Sequence, residues 1–518
     1  FFFTQTTAYE ILSGLVGSEM CIRDRWSPDQ TMIAFTNTTS EGVELWVLDL
    51  KKVKLKKLTS PKLNANLGSV INWFKDSKSL LVKFVPPITK AIKMTEDLIP
   101  TGPRISTNDG AKAQNRTYQD LLKNKNDEKN FEILALSELY KVSIKGSKRL
   151  WKKSDMYRNI NFSPDGRFVL ITTIKRPFSY LVPYYRFPST YTIYGGNGKE
   201  VSVLADIPLI EDLPKGFMSV RKGARSFSWR LDKPASIYFV SALDGGDPQV
   251  ESEFRDELFQ IDAPFNSDPI SLLKTKNRFY RSSWCNDTLA IVSDYWWNNR
   301  NAKTYLFNPS KPQDGSMILS DRNYQDRYND PGIFVKERNN FGENILALRN
   351  NSLYLIGDGF TSNGQFPFLD RLDLSTMVKN RLYKSDIKGK KESIRDFSPD
   401  ENQLFVRIES ASEYPNYYFR ELGADLNQIT FFLNPFKSLQ NIHKDLIKYK
   451  REDGLELSAT LYLPENYDFD KKEKLPLIMW AYPREYKDKS SASQTTKNPN
   501  QFTYPYAGSP IYLSLIHI

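Results

Sequence analysis

The sequence predicts an all-β seven-bladed β-propeller, followed by the first strands of an α/β domain that is cut short. Three observations predict it: a turn phrase that keeps returning, a spacing between copies that suits a four-stranded blade, and a late switch to an unbroken apolar run. The phrase is clearest at Phe162-Ser163-Pro164-Asp165-Gly166, where an aromatic residue closes one strand and Phe168-Val169-Leu170-Ile171 opens the next. Proline presets φ for the turn and glycine tolerates φ > 0, so the phrase punctuates a hairpin. It returns as Trp26-Ser27-Pro28-Asp29 and Phe397-Ser398-Pro399-Asp400, and in worn form at Trp73-Phe74-Lys75-Asp76, Trp229-Arg230-Leu231-Asp232 and Trp284-Cys285-Asn286-Asp287.

The aromatic positions are 47, 89, 67, 55 and 113 residues apart. The last gap is about two periods, so a copy without its turn motif is expected near Ile345-Leu346-Ala347-Leu348, ahead of the strand-like Ser352–Ile356. That makes seven units. Repeats of roughly 40–50 residues, each with several short strands, cannot bury their faces alone and close into a ring.

Taken in order, the first blade alternates through Met32–Phe35 and Glu44–Leu50, and the second carries Ser79–Phe84 after Trp73. Residues 86–131 are polar and rich in Lys, Asn and Asp, and read as an insertion with a short helix around Tyr118 to Leu122. Gly195-Gly196-Asn197-Gly198-Lys199 has neither Walker spacing nor a Ser or Thr after the lysine. Set between two strand patterns, it reads as a hairpin turn. The propeller is expected to span 26–440. After Asn434-Pro435-Phe436 the character changes: Lys444–Lys450 and Glu456–Leu463 form a hairpin around Glu452-Asp453-Gly454, and Leu477–Pro483 is a continuous apolar strand. A strand without alternation suits a sheet covered on both faces, so 441–513 is expected to begin an α/β domain.

Composition narrows the chemistry. Formal charge is +11 over 518 residues, but the basic runs, such as Lys388 to Lys391, come without a nucleic-acid reader motif, so no nucleic-acid partner is expected. No apolar run is long enough to span a bilayer. Two cysteines, Cys21 and Cys285, exclude a disulfide framework and a thiolate metal cluster, and Cys285 is expected to be buried in a strand. With only His443 and His517, a histidine-ligated metal site is not expected either, and no cofactor is implied. Residues 1–25 and 514–518 lack strand alternation and resemble translated adapter read-through; both are expected to be non-native.

An ordered set of phrases carries a resemblance. It includes Arg186-Phe187-Pro188, Val220-Arg221-Lys222-Gly223, Asp244-Gly245-Gly246-Asp247, Pro367-Phe368-Leu369-Asp370, Tyr449–Gly454, Ala459–Pro464 and Trp480–Lys487. Together they cover nearly all of residues 26–513, and the chain resembles the prolyl oligopeptidase family of serine peptidases, in particular its glutamyl endopeptidase branch. The resemblance implies a propeller that caps an α/β-hydrolase domain, peptide or unfolded-protein substrates, and a plastid or a bacterial periplasmic or secreted setting. It also implies a Ser-Asp-His triad, with Ser on a Gly-x-Ser-x-Gly elbow. No such elbow occurs here, and neither histidine matches the catalytic base, so the triad is absent from this chain and the chain itself is expected to be inactive.

By the same resemblance Tyr482 matches the tyrosine whose hydroxyl enters the oxyanion hole; the alternative is an aromatic packed at a strand end. The family commonly has Gly after Tyr-Pro, whereas this chain has Arg484. Preference for glutamate needs a cation beside its carboxylate, and Arg186, Arg221 and Arg225 lie in family-like phrases of the propeller. For each of the three, a structural salt bridge or a solvated loop is the weightier reading. The alternative to a peptidase is a non-enzymatic propeller that binds proteins, which leaves residues 444–513 without purpose.

Overall fold

A computed structural model describes residues 24–87, 91–92, 118–439, 442–465, 467–471, 474–481, 484–505, 509 and 511. It divides into two compact units: the described residues of Phe1–Lys276 with Asn340–Glu343, and those of Asn277–Asn339 with Asn344–Ile518.

The first unit holds four antiparallel four-stranded sheets, each a meander in which consecutive strands are neighbours. Sheet 1 is Arg25–Trp26, Met32–Thr39, Gly42–Asp49 and Lys54–Lys57; sheet 2 is Ile71–Trp73, Ser79–Phe84, Ser137–Ser143 and Lys148–Asp155. Sheet 3 is Tyr157–Phe162, Phe168–Ile174, Ser189–Gly195 and Glu200–Ile207; sheet 4 is Arg225–Trp229, Ser236–Ala242, Asp256–Asp262 and Ile270–Thr275.

The turn phrase closes the first hairpin of each sheet as expected, and its chemistry repeats. Ser163 Oγ donates to Asp165 Oδ1 at 2.7 Å and accepts from the Phe168 amide, while the Gly166 amide donates to the Ser163 carbonyl. Ser27, Asp29 and Met32 repeat this pattern, with Gln30 in the left-handed place that Gly166 fills at φ +72°. A Cβ on Gly166 would lie 2.7 Å from Lys75 Cγ in the turn of sheet 2, so glycine also permits the close approach of neighbouring turns.

Successive sheets pack face to face because their second strands are buried on both sides. In Ser79–Phe84, Leu80 and Val82 enter a core with Ala34, Leu45 and Val47 of sheet 1, whereas Leu81 enters one with Ile160, Val169 and Ile171 of sheet 3. Leu170 points the other way, to Trp229 and Ile237 of sheet 4. Burying such side chains contributes roughly 1.5–3 kcal/mol each, and here both faces of a single strand collect it.

The second unit repeats the arrangement in sheet 5 (Arg278–Asn286, Leu289–Trp296, Asn301–Phe307, Ser316–Asn323) and sheet 7 (Lys391–Ser398, Gln403–Glu409, Asn416–Glu421, Leu426–Gln428). Sheet 6, between them, consists of Ile333–Phe334, Ser352–Gly357, Phe368–Asp373 and Lys379–Lys384. Cys285 is buried in the first strand of sheet 5, against Leu346 and Leu353.

Four expectations are corrected. The sixth unit was placed at Ile345–Leu348, but the first strand of its sheet is split. Ile333–Phe334 pairs with Leu355–Ile356 and Arg349 with Ser352, and the chain between makes its own hairpin of Lys336–Arg338 with Asn344–Leu346. The helix expected around Tyr118 to Leu122 lies at Lys125–Ala135 instead, where the Asn124 side chain accepts from the amides of Asn126 and Asp127 and so fixes the start. The excursion it belongs to continues past 131, since Ser137 directly follows this helix into sheet 2; residues 88–90 and 93–117 of the expected insertion lie outside the described residues. Residues 474–481 form no strand, and Leu477, Met479 and Trp480 are exposed. An apolar run becomes a strand only when another strand takes up its backbone groups, and no described residue does so. The hairpin before it is as expected: His443–Lys450 pairs with Glu456–Leu463.

Lys83, in the middle of sheet 2, is 1% exposed. Its Nζ donates to the carbonyls of Leu67 and Tyr157, and burial pushes its pKa down to about 7. Unfolded lysine titrates near 10.4, so between about pH 7 and 10 the unfolded chain binds the extra proton. Stability should therefore rise with pH across that window, by up to about 1.4 kcal/mol per pH unit from this group. Lys83→Met should remove that slope. Urea midpoints measured from pH 7.5 to 9.5, about the span of the shift, would reveal it as a difference between the two proteins; parallel curves would refute the assignment.

Candidate substrate-binding site

The three arginines proposed for glutamate recognition lie in the first unit, and each is engaged structurally. Arg186 ends the short 3-10 helix Tyr184–Arg186, with its guanidinium 5.3 Å from the Tyr118 ring centroid. Arg221 donates to the Lys222 carbonyl at 2.9 Å; burial, offset by Tyr191 and reinforced by the charge of Arg225, lowers its pKa. Arg221 and Arg225 therefore share a neighbourhood. Arg225 itself is paired with Asp256, which is 1% exposed. Tyr482 lies outside the described residues. His443 packs edge-on against Phe469, with ring centroids 4.8 Å apart.

The chain that follows Tyr482 builds a site within the second unit. A cavity of about 650 Å³ is lined by Trp297, Arg300, Tyr324, Arg327, Phe360 and Arg484, among others. Its wall begins in the hairpin loop of sheet 5, where Trp296 pairs with Asn301 and the four residues between them turn the chain. Arg300 closes that loop at φ +60°, a conformation that non-glycine residues adopt at a cost of about 1–2 kcal/mol. Its carbonyl accepts from the Tyr324 amide at 2.8 Å, its Nη1 donates to the Trp297 carbonyl, and its guanidinium lies 4.0 Å from the Trp297 ring centroid.

Residues 484–504 are pinned to the loops of sheets 5 to 7 by amide side chains. Gln325 Nε2 donates to the Glu485 carbonyl at 2.6 Å, and its Oε1 accepts from the Lys487 amide at 3.3 Å. Gln494 mirrors this, accepting from the Arg327 amide at 2.7 Å and donating to Asp326 at 2.8 Å. Asp488 accepts from Asn323 at 2.6 Å and caps the helical turn Lys489–Ala492 through the Ser491 amide. Arg327 is held by Asp330 at 2.9 Å and Asp358 at 2.7 Å.

No sequence pattern singles out this cavity, although Arg484 departs from the family pattern after Tyr482-Pro483. The available signal was Trp296-Trp297-Asn298-Asn299-Arg300, two aromatics and an arginine in a loop whose Asn residues tolerate tight turns. Among the described residues there is no cluster of three or more His, Cys, Asp or Glu that could hold a metal ion.

The fold is thus nearly all-β and built of four-stranded antiparallel sheets. In sequence, the chain is 35% identical over 513 residues to the probable chloroplastic glutamyl endopeptidase of Oryza sativa subsp. japonica, matching 94% of this chain and 54% of that protein. It is 34% identical over 505 residues to the protein of the same name from Arabidopsis thaliana, matching 92% of this chain and 52% of that one. The chain therefore spans about half the length of the curated relatives it matches. No protein-family model matches it. Among solved structures it is similar to Pyrococcus horikoshii acylaminoacyl peptidase at 14% identity (TM-score 0.41; 85% of this chain, 57% of that one). It is also similar to Porphyromonas gingivalis dipeptidyl peptidase 4 at 12% identity (TM-score 0.42; 89% and 67%).

The ion pair at Arg225 gives a direct test of its structural role. Arg225→Ala takes one cationic partner from the buried Asp256 carboxylate, which should cost up to about 3–5 kcal/mol. A large fall in the urea midpoint checks this; an unchanged midpoint would release Arg225 for ligand binding.

Proposed function

We propose that residues 26–440 form the seven-bladed propeller of a serine endopeptidase that cleaves after glutamate, and that residues 441–513 begin its α/β-hydrolase domain. The observation that carries the reading is 35% identity across 94% of the chain to a relative named as a probable glutamyl endopeptidase. The seven four-stranded sheets are read as seven blades, and the ring as a gate that admits peptides and unfolded segments and turns folded proteins away.

In this reading Ser attacks the peptide carbonyl, His carries the proton to the leaving amine and Asp orients the His. These three residues belong to chain outside this sequence, which holds no Gly-x-Ser-x-Gly. Tyr482 is assigned to the developing oxyanion: a fixed hydroxyl donor aimed there lowers the barrier by about 3–4 kcal/mol.

The longer reading frame that contains this sequence should be labelled by a serine-directed fluorophosphonate and should cleave a quenched peptide after glutamate; the 518-residue chain should do neither. In the longer form, Tyr482→Phe should lower kcat about 10²- to 10³-fold with KM little changed. A longer form that takes no label, or a frame that continues without Gly-x-Ser-x-Gly, overturns the serine-peptidase reading.

A further inference from the structure

The cavity of the second unit carries more positive charge than its fold requires. Arg327 is balanced by Asp330 and Asp358. The remaining cations of the lining are Arg300 and Arg484, with Lys487 beside them over the Trp297 ring, and among the described residues the Glu485 carboxylate meets Arg300 and Lys487. Glu485 is committed mainly to Lys487, at 2.7 Å, and stands 3.4 Å from Arg300 Nη2. A charge-assisted N–H to carboxylate bond is about 2.7–2.9 Å long, so the Arg300 contact is loose. Arg484, exposed on the rim, makes no ion pair among the described residues.

Arg300 is the more telling of the two. It is 2% exposed, and its Nε is buried with no hydrogen-bond partner among the described residues. Nε and Nη2 form one edge of the guanidinium, the edge on which a carboxylate binds with two parallel bonds. Nη1, on the other side, is already occupied by the Trp297 carbonyl, and the Trp297 ring covers the face. The group is therefore fixed and desolvated, with Nε unused and Nη2 held only loosely by Glu485. Its backbone closes the hairpin loop at φ +60°, which fixes where the side chain starts.

We propose that this cavity binds the side-chain carboxylate of an acidic residue in an extended peptide, with Arg300 gripping it through Nε and Nη2 and Arg484 closing over it. The carboxylate takes the place now held weakly by Glu485, which turns wholly to Lys487. Trp297, Tyr324 and Phe360 supply the apolar wall for the flanking peptide, and about 650 Å³ exceeds what a lone inorganic anion fills. The inference deepens the peptidase reading, on which its biological meaning rests: it moves acidic-residue recognition from Arg186, Arg221 and Arg225 to Arg300 and Arg484.

Calorimetric titration of the 518-residue chain tests it with three probes: acetyl-Ala-Ala-Glu-Ala-amide, its Gln counterpart, and acetyl-Ala-Ala-Ala with a free C-terminal carboxylate. The Glu peptide should bind at least about tenfold more tightly than the other two. Arg484→Ala, at an exposed position that folding does not depend on, should weaken the Glu peptide by about tenfold and leave the Gln peptide unchanged. Arg300→Lys, which keeps the charge and loses the fork, should do the same at a temperature where its melting curve shows it folded. Equal binding of Glu and Gln peptides, no binding, an Arg484→Ala effect within about twofold, or a preference for the C-terminal carboxylate each overturns the proposal. Stronger binding of inorganic phosphate than of the Glu peptide also overturns it. Serine labelling of the longer form is a separate measurement, so the failure of either reading leaves the other standing.

Discussion

An indole N–H that reaches back to the preceding sheet is the contact on which the arrangement of the sheets depends. Trp73 Nε1 donates to the Arg25 carbonyl in the first strand of sheet 1 at 2.9 Å, and Trp229 Nε1 donates to the Asn161 carbonyl in the first strand of sheet 3 at 3.0 Å. In each case the ring that ends a first strand is buried, and its one polar atom is satisfied by the neighbour's backbone. Apolar burial is indifferent to small slips between sheets, but a hydrogen bond is directional. The rings therefore supply area and set the stagger at once. The turns add a second tie of the same kind, since the Asp29 amide donates to Ser77 Oγ, and the Asp165 amide to the Pro234 carbonyl.

Such a frame leaves loops free to carry function. The sheets of the second unit bury the stems of the loops at Trp297–Arg300 and Tyr324–Arg327, and residues 484–504 join those loops almost entirely through hydrogen bonds. Each such bond contributes only about 0.5–1.5 kcal/mol net, whereas the cores of the sheets collect that from every methyl group or two. These bonds set the register of the segment, while its far end is held by area, with Phe502 buried among Tyr414, Phe436 and Tyr504. Gln325 and Gln494 each satisfy a donor and an acceptor of the partner loop, so a slip of one residue would break both bonds of each side chain at once.

How much of this was legible in the sequence follows from how local each cause is. Ser163-Pro164-Asp165-Gly166 announces its turn because the hydroxyl, the carboxylate and the left-handed residue that build it lie within four positions. The same holds for Gly195–Lys199, closed by the bond of the Gly195 amide to the Lys199 carbonyl. Sheet 6 hid its first strand because the pairing partner of Leu355–Ile356 lies some twenty residues upstream at Ile333–Phe334, behind an extra hairpin. The run Leu477–Trp480 looked like a strand because periodicity reports what a segment would bury, without reporting whether anything is there to receive it. The cavity was hidden for the first of these reasons in stronger form: Arg300, Arg327 and Arg484 come from three loops that no sequence period connects.

The arginines themselves separate structure from recognition once their pairing is compared. Burying a guanidinium costs several kcal/mol unless a carboxylate and the remaining hydrogen bonds repay it. Arg230, 1% exposed, meets that condition through Asp232 at 2.5 Å and Gln260 at 2.5 Å, and Asp232 is equally buried. Arg225 is paired with an Asp256 that is just as deeply buried, and Arg255 with Asp244 at 2.9 Å. In each of these a buried carboxylate stands within 2.9 Å of its cation, and in the Arg230 pair both partners are buried. Arg300 is as deeply buried, yet its nearest carboxylate is loose and belongs mainly to another cation. A site that pays desolvation and then withholds the partner is poised for a partner that arrives from outside, and the same comparison that removes Arg225 from the substrate's reach brings Arg300 into it.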